Sequence, residues 1–172
     1  MSESHYLLSV DPGKISGWAI FKLPHLLIAY GQLKMDKSEP WVEFWDYHCH
    51  YDGDWRIICE SQFIPNIPFS VSKSQKLELF SKQQKALKIA NSAGMWEGMA
   101  QYLGWEIMDQ VHPNTWRSAI FGKRKMTVDQ AKKMSVELVN HTYELALKKY
   151  QHHTAEGICI GMYAKQQILT GI

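Results

Sequence analysis

Two short apolar runs in this sequence each end at an acidic residue, and a further acid lies in a C-terminal segment typical of an apolar helix. Asp11 follows the first run and Glu60 follows the second. The C-terminal helix is expected to begin at His153, which places Glu156 on the same helix face, three residues later. If the two runs are neighbouring strands, both acids lie at one edge of a sheet. The pattern therefore predicts that four polar side chains converge from three distant segments.

The order of apolar and turn-forming segments predicts an α/β fold. Strands are expected at residues 5–10, 17–21, 27–35, 55–60 and 105–111, and the first three are expected to form an antiparallel meander. Helices are expected at residues 40–50, 75–103 (one helix or two), 113–122, 127–150 and 153–169. The simplest packing is a mixed five-stranded sheet with helices on both faces. The 172 residues fit a single domain that spans the chain, 1–172.

Charge is distributed unevenly along the chain. Residues 1–60 contain five Lys/Arg and nine Asp/Glu, whereas residues 113–149 contain eight and three, and residues 61–93 contain five and one. Acids that bind metal and bases that bind phosphate thus lie in different segments, which suits a protein that cuts nucleic acid. The charge runs alone are equally compatible with solvated helix faces.

Cysteine content and hydropathy limit the expected location. Cys49, Cys59 and Cys159 are odd in number and are not closely spaced, which argues against a disulfide framework or a zinc knuckle. No apolar stretch reaches the roughly 20 residues that span a bilayer, and the first residues lack a signal-peptide pattern. We therefore expect a protein of the reducing cytoplasm that has no membrane partner.

The acidic residues suit catalysis with divalent metal. Hydrolysis of a phosphodiester needs an activated water in line with the leaving oxygen. Two Mg²⁺ ions about 4 Å apart can activate the water and stabilise the charge on the leaving oxygen. Each residue alone is a weak signal, because an acid after a strand is commonly a turn residue. The set of Asp11, Glu60, His153 and Glu156 is more specific. His152 also shares a helix face with Glu156 and is an alternative histidine.

At these residues the chain resembles the RuvC family of Holliday-junction resolvases, which belongs to the ribonuclease-H-like superfamily. The resemblance covers most of the length and is carried by residues 11–18 (DPGKISGW), 60–63 (ESQF), 91–97, 112–130 and 153–156 (HTAE). Residues 112–130 are similar to a Pro-x-x-x-Lys…Gly…Lys region of the family. Two features depart from the family pattern: Glu156 stands where Asp is usual, and the segment 65–85 is longer.

The resemblance implies a ribonuclease-H-like fold and a homodimeric, Mg²⁺-dependent endonuclease that nicks four-way junctions in DNA recombination and repair. It implies that Asp11, Glu60, His153 and Glu156 are catalytic and hold two metal ions, with Asp11 bridging both. Mn²⁺ is expected to substitute for Mg²⁺. The longer 65–85 segment would not be unusual in a phage-encoded member, for which the location would be the cytoplasm of the bacterial host.

Further residues are expected to contact DNA or a second subunit. The resemblance implies that Phe63 inserts at the junction centre and that residues 91–97 serve dimer packing. Gly94 and Gly98 are four residues apart and leave one face of the same helix bare, so this face is the expected contact between subunits. The expected phosphate-binding residues are Lys14, Lys85, Lys123, Arg124 and Lys125.

Two alternatives remain open from the sequence. The first is a ribonuclease-H-like nuclease that acts on forks, flaps or RNA–DNA hybrids. The second is a junction-binding protein with no catalytic activity. A sugar-kinase or actin-type ATPase also has an Asp-x-Gly turn after its first strand, but that architecture needs two such domains, and this chain is too short.

Overall fold

The computed structural model of the chain describes residues 4–36, 38–48, 51–62, 70 and 72–171. The strands are β1 (His5–Asp11), β2 (Ile15–Lys22), β3 (Leu26–Lys34), β4 (Asp54–Cys59) and β5 (Glu106–Ile107). The helices are α1 (Ser38–His48), α2 (Lys73–Tyr102), α3 (Pro113–Phe121), α4 (Val128–Tyr143) and α5 (His152–Thr170). A 3-10 turn at Lys149–Gln151 directly precedes α5.

The five strands form one mixed sheet in the order β3-β2-β1-β4-β5. β1 pairs antiparallel with β2, and β2 pairs antiparallel with β3, whereas β1, β4 and β5 run parallel. Val10 pairs with Cys59 in the register of β1 and β4, so the residue that follows each of them lies at the same edge of the sheet. The predicted sheet, with its first three strands antiparallel, is confirmed.

Helices cover both faces of the sheet, as predicted. Because side chains alternate along a strand, β1 directs Leu7 to one face and Leu8 to the other. Leu7 packs in a core that α3, α4 and α5 complete around the fully buried Trp116. Leu8 packs in a second core that α1 and α2 complete around the fully buried Trp96. Both cores therefore hold the central strands in place, and with them the sheet edge where β1 and β4 end.

Helix α5 lies unusually close to β2 because glycines face each other across the contact. A Cβ atom at Gly17 would overlap the main-chain carbonyl of His153, and one at Gly157 would lie 2.9 Å from the carbonyl of Gly17. Ser9 of β1 donates a hydrogen bond of 2.8 Å to the carbonyl of Gly157. This packing brings the first turn of α5 to the end of β1.

Two element boundaries differ from the prediction. The fifth strand was expected over residues 105–111, but β5 comprises only Glu106–Ile107, and Val111 forms an isolated bridge with Glu60. Helix α4 was expected to continue to residue 150, but it ends at Tyr143. The side-chain amide of Asn140 exchanges two hydrogen bonds with the main chain of Leu147, which turns the chain and buries Leu147 in the core.

The long segment before β5 forms one helix rather than two. Ser72 and Gln75 form a capping box at the start of α2, in which each side chain accepts a hydrogen bond from the main chain of the other residue. Among the described residues, no helix has the length and apolar character required to cross a membrane.

Candidate active site

Asp11 ends β1 and contacts the first turn of α5. Its side chain is largely buried, and a hydrogen bond of 2.8 Å joins its Oδ2 to Nδ1 of His153. The turn that follows is fixed from α2, because Ser92 Oγ accepts a hydrogen bond of 3.2 Å from the main-chain N–H of Gly13. Ser92 also lies 3.2 Å from Ser16 Oγ. The carboxylate of Asp11 is therefore held from both sides of the sheet.

Glu60 directly follows β4 and is buried at the same edge of the sheet. The indole Nε1 of Trp116 donates a 2.7 Å hydrogen bond to its Oε2, and Nε2 of Gln62 donates a 2.9 Å bond to its Oε1. Trp116 is itself fully buried in α3, so the direction of the Glu60 carboxylate is set by the core.

Glu156 lies one turn into α5 and forms an ion pair with Arg117 of α3. Nη2 of Arg117 is 2.8 Å from Oε1 of Glu156, and the guanidinium lies 5.0 Å from the ring centroid of Trp116. Arg117 is not among the residues predicted from the sequence. Its signal was nevertheless present, because Arg117 is four residues after Pro113 and thus occupies the Lys position of the Pro-x-x-x-Lys pattern.

The three acids influence one another strongly because all are buried. Asp11 is 8% exposed, and Glu60 and Glu156 are each 4% exposed. Burial, and then the charge of Glu156, raises the pKa of Asp11 well above its usual range. Burial, and then the charge of Asp11, raises the pKa of Glu60 to about 8. Burial lowers the pKa of His153. The ionised carboxylates of these acids repel one another, and this repulsion is relieved when protons or an additional positive charge are bound.

The donor set fits a divalent cation. Among the described residues, one group of three potential ligands has its donor atoms within 4.8 Å of one another, and it consists of His152, His153 and Glu156. Nε2 of His152 is buried and has no hydrogen-bond partner in the described part of the chain. Asp11 and Glu60 lie outside that group, but Asp11 contacts His153 directly. Carboxylate oxygens are the protein ligands that suit Mg²⁺ and Mn²⁺, whereas imidazole nitrogen is more typical of transition-metal sites.

The remaining predicted residues occupy different parts of the surface. Lys14 follows the Asp11 turn and lies 3.5 Å from Asp36, with both side chains exposed. Lys85 is exposed on α2. Residues 123–125 are exposed between α3 and α4, where Nε of Arg124 donates to the carbonyl of Phe121. Gly94 and Gly98 of α2 face open space. Phe63 lies outside the described residues, as do residues 64–69 and 71, whereas the rest of the longer 65–85 segment is described and forms the start of α2 from Lys73.

Glu60→Gln should make the metal-free protein more stable at alkaline pH. The folded pKa of Glu60 is about 8, against an ordinary value of 4.5. Because the pKa of Glu60 is higher in the folded protein than in the unfolded chain, the protonated side chain contributes to the free energy of unfolding. That contribution is complete below the pKa of the unfolded chain and is lost as the pH rises through 8. Gln cannot ionise, so the variant should gain on the order of 3 kcal/mol in free energy of unfolding at about pH 8.5 and much less at about pH 5.

This prediction is checked by urea unfolding in EDTA at both pH values. Glu43→Gln is the matched control, because Glu43 is exposed on α1. An equal effect of Glu60→Gln at the two pH values would contradict the prediction.

The chain has a ribonuclease-H-like fold, because it combines a mixed five-stranded sheet with helices on both faces. Asp11 and Glu60 lie at one edge of this sheet, where β1 and β4 end. Among solved structures, the chain is similar to that of Thermus thermophilus RuvC, with a TM-score of 0.55 and 13% identity over 96% of each chain. It is similar to T. thermophilus RuvC in complex with a Holliday junction substrate, with a TM-score of 0.58 and 16% identity over 94% of this chain and 95% of that one.

A viral protein has the same fold. The Fowlpox virus resolvase, solved in complex with substrate Holliday junction DNA, is similar with a TM-score of 0.53 and 16% identity over 95% of this chain and 99% of that one. No protein-family model matches the chain, and no curated protein matches it in sequence. The similarity to these solved structures confirms the fold that the family resemblance implied.

Proposed function

We propose that this protein is a divalent-metal-dependent endonuclease that nicks four-way DNA junctions. The observation that carries the proposal is the convergence of buried Asp11, Glu60 and Glu156 with His153 at one edge of the sheet. Support comes from the fold, which is shared with T. thermophilus RuvC and the Fowlpox virus resolvase, both solved with Holliday junction DNA.

The metal would be held by Asp11, Glu60, His153 and Glu156, with His152 as the alternative histidine. When bound, Mg²⁺ or Mn²⁺ in such a site activates water and stabilises charge on the attacking and leaving oxygens. We propose two ions in each site, as the family resemblance implies. The buried acids support cation binding: burial, and then the charge of a neighbouring acid, raises the pKa values of Asp11 and Glu60, and a divalent ion would offset that charge.

Protein groups around the acids have separate roles in this proposal. Trp116 orients Glu60 through its indole N–H, and Asp11 orients His153. Arg117 balances part of the negative charge by pairing with Glu156. Its guanidinium is in direct contact with one of these acids and could also donate hydrogen bonds to a phosphate. The N-terminus of α5 adds a favourable field for an anion at this position.

The DNA would extend from this site over basic surfaces. We propose that Lys123, Arg124 and Lys125 bind phosphates, because all three are exposed beside α3, the helix that carries Arg117 and Trp116. Lys14 and Lys85 are further candidates, and Phe63 is proposed to insert at the junction centre.

A homodimer would suit a junction with two-fold symmetry, because paired cuts need two sites that face two strands. The glycines at 94 and 98 leave part of one face of α2 without side chains, and a Cβ atom at either position would contact nothing among the described residues. We propose this face as the contact between subunits, since bare helix faces allow two backbones to approach closely.

Cleavage of three labelled substrates tests the proposal: a synthetic four-way junction, a Y-fork and an RNA–DNA hybrid of matched sequence. We expect Mg²⁺-dependent nicks placed symmetrically in two opposing strands of the junction, and slower cutting of the other two. Faster cutting of the fork or the hybrid would favour a ribonuclease-H-like nuclease of different substrate range. Tight junction binding with no cutting in Mg²⁺ or Mn²⁺ would favour a non-catalytic junction-binding protein.

A further inference from the structure

A groove of about 780 Å³ lies beside the first turn of α5, next to the acidic site. This volume is within the range of about 300–1,000 Å³ that is usual for small-molecule pockets. The side chains relevant to recognition are one aromatic ring, three ammonium groups, one imidazole and one carboxylate, contributed by Tyr150, Lys132, Lys133, Lys149, His152 and Asp129. The phosphate-binding role assigned above to residues 123–125 concerns a separate surface.

Tyr150 is presented from a fixed turn of the backbone. It lies in the 3-10 turn between α4 and α5, and its side chain is 73% exposed. The main-chain N–H of Gln151 donates a 2.9 Å bond to the carbonyl of Lys148, and the Gln151 side chain accepts a 2.8 Å bond from the N–H of Lys148. An exposed ring on an ordered turn can stack against a planar partner with little additional loss of backbone entropy.

The charge of the groove is suited to a polyanion. Three lysines line it against one aspartate, and of the lysines only Lys133 has an acidic partner within the described residues, at 3.6 Å from the exposed Glu137. Lys132 is half-buried and lies within electrostatic reach of the acids. Burial raises the pKa of Asp11, and the positive charge of Lys132 partly opposes this effect.

The groove is continuous with the site through His152. That residue lines the groove and also belongs to the group of potential metal ligands with His153 and Glu156. A strand whose phosphate lies at the acidic site would therefore place a neighbouring nucleotide in the groove.

We propose that the groove binds the nucleotide next to the scissile phosphate, with its base stacked on Tyr150 and its phosphate facing the lysines. This inference rests on the proposed function and adds a substrate contact to it. Every base has a face that can stack on an aromatic ring, so the contact tolerates different sequences. Tyr150 would then position the cut strand rather than select the junction.

The first test compares Tyr150→Ala, Tyr150→Phe and Tyr47→Ala in single-turnover cleavage of a four-way junction. Loss of one base–aromatic stack should slow cleavage at subsaturating enzyme by about 10-fold in Tyr150→Ala. Tyr150→Phe retains the ring and should cut at nearly the normal rate. Tyr47 is the matched control, because it is 75% exposed on α1 at the opposite face of the sheet.

The second test detects stacking directly. A junction with 2-aminopurine at each nucleotide that flanks the cut is bound to Asp11→Asn protein, so that it is not cleaved. We expect fluorescence quenching at one of these positions, its loss when Tyr150→Ala is added, and its retention with Tyr150→Phe. A purely structural role of Tyr150 would not change the fluorescence at a single nucleotide.

The outcomes separate this inference from the proposed function. The groove proposal is wrong, while the proposed function stands, if the unmodified protein cuts junctions and Tyr150→Ala gives the same cleavage rate and the same quenching of 2-aminopurine fluorescence. A uniform loss of cleavage in both Tyr150 variants and in Tyr47→Ala would also overturn the stacking role. If the unmodified protein cuts no nucleic acid, the proposed function fails and the groove proposal fails with it.

Discussion

Asp11→Asn should reduce junction cleavage by at least about 10³-fold, because a carboxylate that holds catalytic metal contributes several kcal/mol to the transition state. The amide has nearly the same shape and can still bond to His153, so the first turn of α5 should remain in place. Junction affinity should change by less than about threefold, since phosphate contacts elsewhere dominate binding. Single-turnover cleavage in Mg²⁺ and a fluorescence binding titration measure the two quantities separately.

Asp46→Asn is the matched control for this substitution. Asp46 is an exposed acid of α1 with no proposed role in metal or DNA binding, so its substitution should change neither cleavage nor binding appreciably. Asp11→Asn should not lower the free energy of unfolding, because burial and the charge of Glu156 already disfavour the ionised form of Asp11. Cutting at the normal rate by Asp11→Asn would remove this residue from the catalytic set, and loss of folding would make the cleavage result a stability effect.

The positions of the acids could be predicted because local sequence determines them. Asp11 and Glu60 each follow an apolar run, and a strand must end where Pro12 and Gly13 turn the chain. The parallel pairing of β1 with β4 then brings both residues to one edge. The covered faces of β1, β2 and β4 likewise follow from runs that are apolar throughout, as in strands buried on both sides, whereas the pairing of β1 with β4 is a tertiary contact that these runs do not specify.

Other features depend on contacts between segments far apart in the chain. The Pro-x-x-x-Lys pattern marks the position of Arg117, but only the packing of α3 against α5 brings its guanidinium to Glu156. The end of α4 could not be predicted from periodicity, because Leu145 continues the apolar stripe. The deciding interaction is the pair of hydrogen bonds from the Asn140 side chain to Leu147, and nothing in the local sequence specifies it.

The two histidines illustrate the same limit. The spacing to Glu156 allows either His152 or His153 to share its helix face. In the folded chain both are near Glu156, but His153 bonds to Asp11, whereas Nε2 of His152 has no partner among the described residues. The distinction arises from the direction of the first turn of α5 relative to β1, which is a tertiary property.

Gly17→Ala should destabilise the protein by at least about 3 kcal/mol, because an added methyl group would meet main-chain atoms that cannot move aside as a side chain can. The overlap is with the carbonyl of His153, at the point where α5 packs on β2. Relief requires α5 to shift away from the sheet, which would also separate His153 from Asp11. Urea unfolding at several protein concentrations measures the effect, and cleavage below the unfolding transition tests the displacement of the site.

Gly94→Ala provides the matched control, since the same methyl group is added where no atom of the described part of the chain lies within 4 Å. Alanine in a helix interior is favoured over glycine by roughly 0.5–1 kcal/mol, so this variant should be slightly more stable at concentrations where the chain is monomeric. If Gly17→Ala instead lies within about 0.5 kcal/mol of the unmodified protein, the margin of ordinary surface substitutions, α5 does not approach β2 as closely as described. The convergence of His153 and Glu156 on Asp11 would then need another cause, because that close approach is what brings the first turn of α5 to the sheet edge.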